Sequence, residues 1–144
     1  MKNYLLFVLL VLVGLGCGKE KTISDELVGD WFYERETHIS FSSFDDPDTE
    51  GFMSFNDDET GYWESSNGFQ SFDLEWDLQM NDSKISITKY FVDQTALFPS
   101  NTIFDLTREN EDEFRLTFHL KFESPIDSIE TLEQFENIIL TRME

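Results

Sequence analysis

One thiol, two imidazoles and thirty carboxylates are the groups from which this chain of 144 residues could assemble a reaction. The thiol is Cys17, which follows Gly14-Leu15-Gly16 at the end of an apolar run. The imidazoles, His38 and His119, lie far apart in the chain. A catalytic zinc takes about three protein ligands from His, Cys and carboxylates, so both histidines would have to meet acids in the fold. Nothing in their spacing brings them together, and no metal is expected. No G-x-S-x-G stretch, the mark of a nucleophile elbow, occurs. Paired carboxylates suit glycoside hydrolysis, but thirty acids make pairs inevitable, so the pairs point to no reaction. The chain reads as a non-enzyme without a cofactor.

Asp46-Pro47-Asp48-Thr49-Glu50-Gly51, with Asp57 six positions after the glycine, approaches the D-x-D-x-[DN]-G calcium loop. Glu50 is too long for its slot, Pro47 stiffens the loop start, and the flanks read as strands rather than helices. General attraction of cations to an acidic surface is the expectation over residues 46–57.

Ten basic residues face thirty acidic ones, and the formal charge is −20. Such a chain repels phosphate backbones, because it has few cations with which to release counterions. Nucleic acid is excluded as a partner on that ground. Fifteen phenylalanines and 15% aromatic content supply enough apolar surface for a packed core, so the acidity is not that of a disordered tail.

Lys2 and the charge-free run Tyr4 to Val13 form the two parts of an export signal, with small residues before Cys17. Ten apolar residues are too few to span a bilayer. Residues 14–17 resemble the cleavage box of bacterial lipoproteins, although Gly14 stands where an aliphatic residue is commoner. The resemblance implies removal of residues 1–16 and acylation of Cys17, the palmitate-type anchor holding the protein to a membrane. The expected place is the cell envelope, at the outer membrane, with the face left open. An uncleaved anchor with an incidental cysteine is the alternative. As the sole cysteine, Cys17 leaves no intramolecular disulfide.

The remaining chain must position whatever binds or reacts. Residues 17–24 are polar and read as a tether, and residues 25–144 as one domain. Phe72-Asp-Leu74-Glu-Trp76-Asp-Leu78-Gln-Met80 alternates apolar and polar without a break, as does Phe114 to Phe122. Alternation puts successive side chains on opposite faces of a strand. Weaker runs at Gly29 to Phe41, Gly51 to Phe55, Gly61 to Glu64, Ile85 to Phe91, Thr102 to Thr107 and Ile138 to Arg142 bring the total to about eight. Pro125 with neighbouring acids suits a short helix near 125–134. Short strands joined by turns predict an all-β sandwich or barrel.

Glu26-Leu27-Val28-Gly29-Asp30-Trp31 resembles the G-x-W start of lipocalin-like proteins. Leu140-Thr141-Arg142 resembles the family's closing strand, and Phe55 with Asp58-Glu59-Thr60-Gly61 its D-G-T-G hairpin, Glu59 standing in place of glycine. The resemblance implies an antiparallel up-and-down barrel of about eight strands, closed where Arg142 packs over Trp31 beside Gly29. It also implies a lumen lined by Trp31, Tyr33, Phe72, Trp76, Phe114 and Phe118. These rings serve either as a filled core or as the lining of a site for a small apolar or amphipathic ligand. With a filled barrel, function moves to protein contacts made by loops 44–50 and 65–69. Of the adjacent Tyr62 and Trp63, one must face outward.

Overall fold

A computed structural model describes residues 21–40, 48–68, 70–93, 96–123 and 131–144. Its first element is helix α1, Ile23–Leu27, which begins at a reciprocal cap. The Thr22 hydroxyl accepts from the Asp25 backbone N–H at 3.2 Å, and the Asp25 carboxylate accepts from the Thr22 N–H at 3.1 Å. Two first-turn donors are thereby satisfied. So short a helix is held by packing rather than propensity. Leu27 is fully buried, and Ile23 and Val28 pack on the same core. Helix α1 takes up the last of the residues read as tether.

Eight strands follow: β1 Gly29–Ile39, β2 Glu50–Phe55, β3 Thr60–Ser65, β4 Ser71–Gln79, β5 Lys84–Asp93, β6 Ala96–Asn110, β7 Glu113–Glu123 and β8 Thr131–Arg142. Each pairs antiparallel with the next, and β1 pairs with β8 from Trp31↔Arg142 to Ile39↔Gln134. The sheet is a closed up-and-down barrel, and closure leaves no edge to recruit another strand. The expected architecture stands. A helix across 131–134 does not, because those residues are the start of β8. Residues 124–130 lie outside the described set, as do Cys17 and the signal at 1–16.

The β2–β3, β4–β5 and β6–β7 turns gather at one end, here called the lower end, with α1 beside them. Arg142, the last residue of β8, lies over the Trp31 ring at 4.3 Å and reaches back to the carbonyls of Val28 and Glu26. Trp31 Nε1 donates to the Leu27 carbonyl at 2.8 Å, tying ring, helix and strand together. Gly29 has φ +141°, a conformation that strains an L side chain, and a Cβ there would stand 2.8 Å from Arg142 Nη1.

The two sides of the barrel differ in height. Strands β2 and β3 have six residues each, while β6 has fifteen and β8 twelve. Only Thr102–Thr107 and Ile138–Arg142 alternate clearly enough to be read from sequence. The rest of each long strand is fixed by pairing with its neighbours.

In the β2–β3 turn, Glu59 adopts φ +66°, a left-handed conformation that favours glycine. A left-handed L-residue costs roughly 1–2 kcal/mol, partly offset by glycine's extra entropy loss. Glu59 keeps only backbone bonds there, accepting from the Trp76 N–H at 2.8 Å. Glu59→Gly is therefore expected to raise stability by about 0.5–1 kcal/mol. A thermal melt giving an unchanged or lower midpoint would contradict this account of the turn.

Candidate functional site

The lower and middle lumen is packed. Trp31, Tyr33, Phe55, Trp63, Phe104 and Phe114 are each at most 1% exposed, and Phe72 and Trp76 are buried beside them. Trp31 meets Phe114 edge-to-face at 5.4 Å, Phe55 meets Trp76 at 5.5 Å, and Phe104 meets Phe118 at 6.2 Å. Such offset pairs are the favoured ring geometry. All six rings expected in the lumen line its inner face, with Phe118 half-buried and highest on β7. Of the adjacent pair, Trp63 points in and Tyr62 out.

Above this packed zone the inner wall changes character. Tyr33, Arg35 and Thr37 continue the inward face of β1, and their cross-strand partners on β8 are Leu140, Ile138 and Glu136. The Tyr33 hydroxyl donates to the Asp48 carboxylate and accepts from Trp63 Nε1 at 2.8 Å. Gly51 makes room for that reach, since a Cβ there would come within 2.8 Å of the Tyr33 oxygen. Arg35 bridges two acids, with Nη1 3.2 Å from Asp48 and Nε 2.7 Å from Glu136. Their side chains are 12%, 0% and 8% exposed, so the three charges are nearly dry. Lys89, inward from β5, sets its ammonium 3.5 Å from the Trp63 ring centre and 5.2 Å from Phe72. Among the described residues, Thr37 Oγ1 is the one buried side-chain oxygen with no hydrogen-bond partner.

Burial and the hydrogen bond to Asp48 both push the Tyr33 hydroxyl well above the ordinary phenol range. The site therefore holds a neutral phenol donor against a dry carboxylate. No proton is poised for exchange near neutral pH by that arrangement. The upper lumen thus sets cations and a hydroxyl above an aromatic floor.

Sequence reasoning found the floor and missed the charges. Arg35, Lys89 and Glu136 occupy inward positions on strands, where alternation assigns apolar residues. Asp48 belongs to the acidic stretch read for cation attraction. It is instead buried on Tyr33, Trp63 and Arg35. Residues 41–47 and 69, which share the loops expected to make protein contacts, lie outside the described set. Among the described residues no three metal-binding side chains cluster. His119 pairs with Glu133 on the outer wall, where His119 and then Lys121 hold that carboxyl below its usual range. No protein-family model, curated protein or solved structure matches this chain, so the site is read from its own geometry.

Removing one member of a buried ionic network strands the others, at a cost of about 3–5 kcal/mol, whereas replacing the whole set by neutral groups is often harmless. Arg35→Met alone is expected to destabilise in that range, and Arg35→Met with Asp48→Asn and Glu136→Gln to recover most of it. Urea melts in which the triple variant is weaker than the single one would show that the charges carry the fold. Tyr33 gives a pH signature. With its proton held more tightly when folded, stability is full below about pH 10, the unfolded phenol value, and falls as pH rises beyond it. Tyr33→Phe is expected to flatten that alkaline decline while lowering stability at neutral pH by about 1–3 kcal/mol, because Asp48 loses a donor. Parallel alkaline slopes for the two proteins would contradict the assignment.

Proposed function

We propose that this protein is a lipid-anchored lipoprotein of the cell envelope whose lipocalin-like barrel holds a small amphipathic ligand at its upper mouth, without catalysis. One observation carries the ligand reading: Arg35, Asp48 and Glu136 form a nearly dry ionic network inside a barrel otherwise filled by rings. Apolar side chains would fill that space without the desolvation penalty of three charges. Ligand sites combine apolar walls with a few converging polar groups, and the upper lumen supplies both. Phe118 and Leu120 extend the apolar wall on β7, and Leu120 is exposed on its inward-facing position. The packed lower lumen confines any ligand to this upper end.

The anchor rests on Cys17 and the apolar run before it. Labelling cells with palmitate is expected to mark the full chain and to fail with Cys17→Ser, which then leaves the membrane fraction. Native mass spectrometry of the released protein is expected to show an added mass matching a single-chain amphiphile. Label on the serine variant would remove the anchor. A bare protein that also refuses added amphiphiles would remove the ligand.

A protein-contact module is the second reading, favoured by the outer wall. Phe32 and Phe52 meet edge-to-face at 5.9 Å, and with exposed Tyr62 and Met143 they form an apolar patch across β1–β3. Contiguous exposed apolar surface marks contact sites. Loss of an envelope partner on Phe52→Ser, with no amphiphile bound by either protein, would favour this reading over the first.

A further inference from the structure

Arg35 is the one Lys or Arg in strands β1 to β4, and it points into the lumen. The outer wall of these four strands therefore carries neither. It carries instead the aromatic patch of Phe32, Phe52 and Tyr62, with Met143 beside them. Phe32 lies directly across from Phe52, and Tyr62 across from Ser54, the next outward position of β2. Ser71 holds the Tyr62 hydroxyl, so that ring stands fixed although it is exposed. A groove of about 220 Å³ is lined by Phe52, Tyr62 and Met143. That is smaller than the roughly 300 Å³ at which small-molecule sites begin, and it suits a side chain from a partner.

Carboxylates surround this patch. Asp30 and Glu34 flank Phe32 on β1, Glu50 flanks Phe52 on β2, Glu64 pairs across from Phe52, and Asp73 pairs across from Tyr62. All five are exposed. Glu34 and Glu50 also face one another across the β1–β2 ladder, and like charges placed directly opposite cost stability in the free protein. The opposite wall is built differently. There Lys84 stands beside Asp105, Arg115 beside Glu109 and Lys121 beside Glu133. Charge on β5 to β8 is matched within the chain, whereas the rim of the apolar patch meets no cation of its own wall.

We infer that, on the contact reading of the outer wall given above, the partner is a basic protein whose docking face sets apolar side chains on Phe32, Phe52 and Tyr62 inside a ring of Arg and Lys. An exposed apolar patch calls for an apolar counterpart, and opposed potentials at the rim speed encounter and fix register. Arginine suits both, because its guanidinium stacks on rings and takes carboxylates bidentately. Other occupants meet the rim badly. A second copy joined about a two-fold axis would set the same carboxylates against themselves. An anionic membrane surface would be repelled. The barrel has no open edge, so the partner docks through side chains rather than by adding a strand.

All described elements lie within residues 21–144, so a chain starting at Gly18 carries the whole described fold. The probe is a labelled helical peptide of about five turns, roughly 18 residues, with leucines on one face and arginines on the other. Binding is read by fluorescence anisotropy at about 0.15 M salt, where distant surface charges are screened. The peptide is expected to bind at least tenfold tighter than versions with serine for leucine or glutamate for arginine. Phe52→Ser with Tyr62→Ser is expected to weaken it at least tenfold, and so is Glu50→Gln with Glu64→Gln. Asp82→Asn with Glu111→Gln makes the same change of net charge in the β4–β5 and β6–β7 turns, and is expected to alter binding less than twofold. Near-UV circular dichroism matching the parent shows that each variant is folded. Equal loss from the two acid pairs overturns the docking face in favour of diffuse attraction to net charge. Preference for the glutamate peptide, lost with the two serine substitutions, overturns the basic partner and keeps the contact reading. So does dimerisation of the chain, or its binding to phosphatidylglycerol vesicles, where the same two substitutions abolish it. Refusal of every peptide, or insensitivity to the serine pair, overturns both this inference and the contact reading.

Discussion

Strand β1 pairs on one side with β2 and on the other with β8, and that double pairing turns a meandering ribbon into a closed wall. Closure divides the side chains into two populations that cannot exchange, because a one-residue slip would turn every lumen ring outward. The seam is fastened where β8 ends. Arg142 spreads over Trp31, and Gly29 leaves the space for it. Trp31 in turn holds α1 through the Leu27 carbonyl, so the helix plugs the lower end. An eight-stranded barrel encloses just enough space for side chains or one small ligand. Here aromatic residues take the lower portion, and charged groups stand above them.

Most of this architecture was legible because alternation and turn chemistry agree with the fold. The run Phe72 to Leu78 has one apolar face, and it makes the wet-and-buried strand that face requires. The failures are concentrated where the site is. Strand β8 was legible only from Ile138, because Glu136 occupies an inward position at which the pattern demands an apolar residue. Arg35 and Lys89 break the same rule on β1 and β5. A rule built on the hydrophobic effect assigns charges to water, and it cannot register a carboxylate and a guanidinium that desolvate one another. Helix α1 escaped for a different reason: five residues give no helical period, and Thr22 with Asp25 is too small a cap signature to stand out among polar neighbours.

Placement of ionic groups inside the lumen is costly, and the chain limits the cost by mutual contact. Arg35 touches both acids, and Asp48 also receives a phenol and an indole N–H. Each charge is therefore met by a partner, as buried ions require. The geometry is also rigid, since Tyr33 and Trp63 are fully buried at a centroid distance of 4.8 Å. Rigid donors held by rings need little reorganisation when a ligand arrives, which is how binding sites reduce the entropic cost of association. The outer wall behaves differently. Its pairs, such as Lys84 with Asp105 and Arg115 with Glu109, are solvated and contribute little to stability.

The proposed anchor and the lumen are joined by the direction of the chain. Lys21 is the first described residue, and it leads into α1 at the lower end, beside Asp25 and Glu111. Three residues separate it from Cys17, so the two lie at most roughly 14 Å apart when the chain is extended. If Cys17 is acylated as proposed, the anchor would hold the plugged end toward the bilayer and turn the upper mouth away from it. On the proposed reading, a mouth directed into the aqueous space would receive its ligand from solution or from another carrier rather than sideways out of the anchoring leaflet. The acidic exterior fits that proposed arrangement, because repulsion from anionic head groups would keep the barrel standing off a surface to which it was tethered.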